Sequence, residues 1–277
     1  MLKNLLVQIP SERPLRPIVD GAISLAANYS AHLDAVSIGF ESANIGLTVD
    51  GAAASAAVFE LERERAQARA EAALAIFEAE ARDAGIDYHC QALTAVPVDA
   101  FATLGSMARL YDLSIVLQPE PSLTTADNAA PTEMLFQAGG PVLFIPYTHK
   151  GALKPRHIGI AWDGSRLAAR ALRDTASFLA HSETVTIISI NEAQAPTEAS
   201  AEALAKQLAR RGLNARIESM SASHADIQPL ILSLVADAGV DLIVMGGYGH
   251  SRMQERFLGG VTRAMLQSMT VPTLMSH

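Results

Sequence analysis

The sequence predicts an α/β protein built as two tandem doubly wound domains, each a five-stranded parallel sheet flanked by helices, related by a pseudo-twofold axis. Three observations predict it. Apolar strand-like runs alternate with helix-period segments along the chain, the pattern of a parallel sheet covered on both faces by right-handed crossovers. The strand runs recur in the same order in the second half. A length of 277 residues is long for one compact α/β domain and comfortable for two.

The elements follow in order. Residues 5–9 (LLVQI) open the chain as an apolar strand, and residues 158–162 (IGIAW) repeat it. Residues 32–40 (HLDAVSIGF) pair with 183–191 (ETVTIISIN), 112–118 (DLSIVLQ) with 241–247 (DLIVMGG), and 140–145 (GPVLFI) with 271–275 (VPTLM). The early pairs are offset by about 150 positions and the later ones by about 130, so the first half carries an extra segment, assigned to residues 42–66. Between the strands, residues 17–31 and 168–179 show apolar positions at amphipathic-helix spacing, and 60–84 is a long Ala/Glu/Arg-rich run answering 198–211. Residues 98–110 and 227–238 align without a gap. The continuous apolar runs IVLQ and LIVMG fit strands buried on both faces. The domains are placed at residues 1–148 and 154–277, with 147–155 (YTHKGALKP) as a short polar linker. They are expected to pack through their final strands, 141–147 and 271–277, which would satisfy sheet edges internally. Further pairing into a homodimer is left open.

Composition narrows the function. Hydrophobic residues make up 49% of the chain and charged residues 18%, enough for two sizeable cores. A net charge of −8 argues against a nucleic-acid partner, which needs a basic face. The N-terminal apolar run is too short for a signal peptide, no stretch suits a membrane span, and the single cysteine, Cys90, fits a reducing compartment. A cytoplasmic location without a membrane partner is the expectation. Eight scattered histidines show no metal-ligand spacing. Six methionines between 220 and 275 are expected mainly to fill the core.

In open α/β sheets, ligands bind beyond the carboxyl ends of the strands where the strand order reverses. There the second half runs from its fourth strand into Gly246-Gly247-Tyr248-Gly249-His250-Ser251-Arg252, and then Gly259-Gly260-Val261-Thr262 opens a helix. Glycines let the backbone approach a ligand, and a helix start presents free N–H groups and a partial positive charge. Thr262 adds a hydroxyl donor. The loop is neither a Walker loop nor the dinucleotide fingerprint. Asp163, after the first strand of this half, can accept from an exocyclic amine or a ribose hydroxyl; capping with Ser165 is its competing role. Asp226 reads as a helix cap and His224 as a surface residue.

IGIAWDGS followed by VMGGYGHSRMQERFLGGVT resembles the universal stress protein family, whose nucleotide-binding members carry a strand–Asp-Gly-Ser opening and a Gly-x2-Gly-x9-Gly-Ser/Thr loop. The resemblance implies a stress role and an adenine nucleotide, ATP with or without Mg²⁺, as ligand. It implies that Asp163 contacts adenine, that Ile190 pairs with adenine through its backbone, and that Gly246, Gly249, Gly259, Val261 and Thr262 surround the ribose and phosphates. Gly260 stands where the family has Ser or Thr; its backbone N–H remains, worth about 1.5–3 kcal/mol to a charged phosphate. The first half departs further, with Gln8-Ile9-Pro10-Ser11 in place of the Asp-Gly-Ser opening and no glycine between its fourth strand and Gly139. Pro119, Pro121 and Pro131 are expected to remove cradle donors, leaving this half without a nucleotide site. A slow ATPase and an adaptor with both sites degenerate stay open as alternatives; no general base or metal-ligating carboxylate pair is evident for the former.

Overall fold

The structure, a computed structural model, describes residues 2–41, 52–191, 197–248 and 260–277. The first half runs β1 (Asn4–Ile9), α1 (Arg16–Tyr29), β2 (His32–Phe40), α2 (Ala52–Asp83), β3 (Tyr88–Ala95), α3 (Pro97–Ala108), β4 (Leu113–Leu117), α4 (Ala126–Gln137) and β5 (Val142–Ile145). The second half runs β6 (His157–Ala161), α5 (Arg166–Asp174), α6 (Ala176–Leu179), β7 (Thr184–Ile190), α7 (Ala201–Ala209), β8 (Ala215–Met220), α8 (Ile227–Ala238), β9 (Leu242–Gly246), α9 (Val261–Ser268) and β10 (Thr273–Ser276).

Local chemistry sets the helix ends. Pro17 lies in the first turn of α1 and Pro97 opens α3, where the missing N–H costs nothing. Ser165 and Ser200 accept from the Ala168 and Ala203 N–H groups and so start α5 and α7. Gly239, in the left-handed region at φ 66°, stops α8. The helix expected over 168–179 is two helices, because the buried Thr175 hydroxyl donates back to the Ala171 carbonyl at 2.6 Å and breaks the run. At 32 residues α2 far outlasts the nine of its counterpart α7, and the described part of the extra segment, from Ala52 on, builds its opening turns.

The ten strands form one sheet in the order β3-β2-β1-β4-β5-β10-β9-β6-β7-β8. Every neighbouring pair is parallel except β5 and β10, which meet antiparallel with Leu143 opposite Leu274. The order is a palindrome about that seam, the mark of a pseudo-twofold axis between the halves. Helices cover both faces, and each apolar layer crosses the seam. One layer joins Leu25, Phe77 and Leu143 to Phe178, Leu204 and Leu274; the other joins Leu104, Met134 and Phe144 to Val235, Met265 and Met275. Met245 and Met269 also pack there, whereas Met220 is exposed at 44%. The expected linker is not merely polar: Leu153 is buried, its N–H donates to Ser24 Oγ and its carbonyl accepts from Asn28, tying the segment to α1. No helix among the described residues is long and apolar enough to cross a membrane.

Candidate functional site

Strand order reverses in the second half between β6 and β9, which are parallel neighbours, with β7 on the far side of β6. The carboxyl ends of these three strands bring Asp163, Ile190 and Gly246 to one edge. Asp163 follows β6 in an exposed turn made possible by Gly164 at φ 72°. Its Oδ1 accepts the Ser165 N–H at 2.9 Å, so the capping role is realised, while its second oxygen has no partner among the described residues. Ile190 ends β7 opposite Met220. The next residue, Asn191, is held at φ 61° by two side-chain bonds to the Ala222 backbone, both 2.9 Å, which fixes how the strand leaves the sheet.

Packing explains Gly246. A β-carbon there would stand 2.8 Å from the Ala168 nitrogen and from the Leu167 carbonyl carbon, so the glycine lets α5 lie directly on the strand end. Beyond it, the Gly247 N–H donates to the Ser276 carbonyl. Tyr248, at φ 54°, donates its N–H to Thr262 Oγ1 at 3.0 Å. Thr262 is 5% exposed, and its oxygen, expected as a phosphate donor, acts first as an acceptor clamping the exit of β9 to α9. Its O–H hydrogen has no acceptor among the described residues. Gly260 occupies the N-cap of α9 and brings no side chain of its own to the first-turn N–H groups, with Val261 as the first helical residue. Gly249, Gly259 and the His250-Ser251-Arg252 run lie outside the described residues.

The ladders define what stands opposite in the first half. Val7 faces Ala35 and Ile115 as Ile160 faces Ile187 and Val244, so Pro10 takes the place of Asp163 and Ile38 that of Ile190. The chain itself fills this mouth. Ser11 Oγ donates to the Ile38 carbonyl at 2.7 Å, occupying the backbone group that corresponds to Ile190. Helix α1 begins three positions later than α5 under this alignment, and the longer loop turns Arg13 inward, where Nη2 donates to the Gln118 carbonyl at 2.7 Å. Burial lowers the Arg13 pKa, offset by the Asp127 and Glu120 carboxyls. Asp127, without solvent contact, accepts from Gln8 Nε2 at 3.1 Å and the Glu12 N–H at 2.6 Å. Pro131 sits inside α4 and so removes a helix bond, not a cradle donor as expected. No local pattern in the sequence marks Arg13, beside Glu12 in the loop after β1, or Asp127, in the first turn of α4.

Other candidates resolve simply. Asp226 holds the N-cap position of α8 but makes no side-chain cap; the Ser223 hydroxyl claims its carboxylate at 2.6 Å. His224 is exposed. Burial pushes the Cys90 thiol up to about 11, away from thiolate chemistry. Among the described residues no group of three or more His, Cys, Asp or Glu side chains is placed to hold a metal ion.

The palindromic ten-stranded sheet, with a strand-order reversal in each half, places the chain in the tandem doubly wound α/β class. Residues 154–277 match the model of the universal stress protein family. The chain's fold is that of a universal stress protein from Archaeoglobus fulgidus DSM 4304, at 13% identity and a TM-score of 0.73 over 98% of this chain and 95% of the other. A functionally unknown protein from Pseudomonas aeruginosa PAO1 is similar at 17% identity and a TM-score of 0.61, over 99% and 92% of the two chains. No sequence among the curated proteins matches the chain.

Proposed function

We propose that the chain is a nucleotide-dependent regulatory module that binds one adenine nucleotide, ATP, in its second half, the domain of residues 154–277. The observation that carries this reading is the convergence of Asp163, Ile190 and the α9 start on the carboxyl edge where the strand order reverses. The Asp163 oxygen that has no partner among the described residues suits an exocyclic amine or a ribose hydroxyl. The glycine-capped N-terminus of α9 suits phosphate, with the Gly260 and Val261 N–H groups and the Thr262 hydroxyl as donors. Gly249 and Gly259 complete the loop in this reading. Mg²⁺ would ride on the phosphates, since the edge offers no carboxylate cluster among the described residues. The protein acts by holding the nucleotide, and it works in the cytoplasm with no nucleic-acid or membrane partner. The first half, residues 1–148, with Ser11 on the Ile38 carbonyl, serves as the structural mate in place of a second subunit.

Calorimetric titration of nucleotide-stripped protein with ATP and Mg²⁺ tests the reading, beside an Asp163→Ala, Gly249→Val double variant and an equilibrium-dialysis control. Saturation at one nucleotide per chain that disappears in the double variant is the expected result. Two equivalents per chain would reopen the first half as a nucleotide site, and silence in both assays would end the nucleotide reading.

A further inference from the structure

The mouth between β1 and β4 carries more polar chemistry than a plug requires. Arg13 is only 7% exposed, and its Nε and Nη1 nitrogens, three N–H donors in all, are covered and have no partner among the described residues. Gln8 is buried on β1; its Nε2 is fixed on Asp127 Oδ1, and its Oε1 is covered and unpartnered. Thr125 occupies the N-cap of the 12-residue α4 without making a side-chain cap, and its Oγ1 is likewise covered and unpartnered. Buried polar groups are nearly always hydrogen-bonded, so four such atoms at one strand junction call for an occupant.

The fold brings them together. β1 and β4 are parallel neighbours, and the strand order of the first half reverses between them. Gln8 leaves one strand, Gln118, which holds Arg13, leaves the other, and Asp127 in the first turn of α4 takes the Gln8 amide. We propose that this junction is a second ligand site, for a small phosphate monoanion. The donors on Arg13 and the N-terminus of α4 call for anionic oxygens. The free Gln8 Oε1 calls for a donor, which protonated phosphate carries and sulfate lacks. The Asp127 and Glu120 carboxyls beside Arg13 favour one negative charge on the ligand over two. Ser11, seated on the Ile38 carbonyl, takes the place an adenine edge would need, which limits the occupant to a small ion.

The test is a titration of the full chain with inorganic phosphate and, separately, sulfate, followed through arginine Nε–H signals by NMR. The Arg13 signal is assigned by its loss in Arg13→Lys. Phosphate shifts it saturably, sulfate binds at least about tenfold more weakly for want of a donor to Gln8, and Asp163→Ala in the other half leaves the response unchanged. In Arg13→Gln the phosphate response of the remaining signals disappears. If that variant fails to fold, the comparison of phosphate with sulfate on the unaltered chain decides alone. An unmoved Arg13 signal, an equal response to sulfate, or a response that survives Arg13→Gln in the folded protein overturns the site.

Discussion

Asp127 shows what a single buried carboxyl does to this protein. Desolvation pushes its pKa from 3.8 up to about 6, against the opposing pull of hydrogen bonds from the backbone of Glu12 and Ser11 and the charge of Arg13, with the Glu12 charge adding to the rise. A carboxyl whose pKa is higher folded than unfolded stabilises the fold fully below 3.8, and that contribution is lost as pH rises through about 6. Chemical denaturation on either side of pH 6 should therefore show Asp127→Asn shrinking the loss toward alkaline pH by up to ~3 kcal/mol; an unchanged pH profile would contradict the assignment. Thr262 makes a second residue-scale case, because its oxygen accepts the Tyr248 N–H inside the fold. Thr262→Val should cost about 1–3 kcal/mol in thermal or urea unfolding, and Thr262→Ser should restore most of it, since only the hydroxyl matters.

At the scale of elements, two glycines set how closely helices approach strands. A β-carbon at Gly39 of β2 would lie 2.0 Å from the Ala66 carbonyl oxygen of α2, and one at Gly246 would press on the first turn of α5. Backbone cannot rotate away as a side-chain tip can, so the helix itself must move. Gly39→Ala and Gly246→Ala should each cost about 1–3 kcal/mol, while Gly140→Ala, whose nearest neighbour is 3.9 Å away, stays within about 1 kcal/mol of the parent. Differential scanning fluorimetry ranks the three, and an undisturbed Gly39→Ala would show that α2 does not pack as described. The Gly246 contact also gives that glycine a structural reason to exist apart from any ligand.

For the whole molecule, the seam is the deciding feature. The β5–β10 pairing is reinforced by Gln118 Nε2 donating to the Leu266 carbonyl at 3.0 Å, by Arg170 donating to the His277 and Gly139 carbonyls, and by the Phe136 and Tyr248 rings at 4.6 Å. Both apolar layers run through it without a break. Unfolding should accordingly be one cooperative transition seen alike by calorimetry and circular dichroism. Leu274→Ala, which empties a fully buried position on the seam, should lower stability by about 2–5 kcal/mol. Two separated transitions in the parent protein would mean that the halves stand as independent domains.

Much of this was legible along the chain. Strand and helix alternation, the internal repeat and the strand edge that carries Asp163 and Gly246 follow from local periodicity and from the topology that periodicity implies, whereas Ile190 was marked only by the family resemblance. Pairing of the halves through their final strands was also foreseeable, because unpaired sheet edges must be covered. The roles of individual polar atoms were not. Whether Thr262 Oγ1 meets a ligand or the Tyr248 N–H, whether Asp226 caps its own helix, and whether Gly246 clears space for a ligand or for α5 depend on distances between segments remote in sequence. The same holds for Arg13, Gln8 and Asp127, which come from three stretches with no shared pattern and meet only where β1, β4 and α4 close on one another. Periodicity records which face of an element is apolar; the partner of a buried polar atom is set by the packing of whole elements.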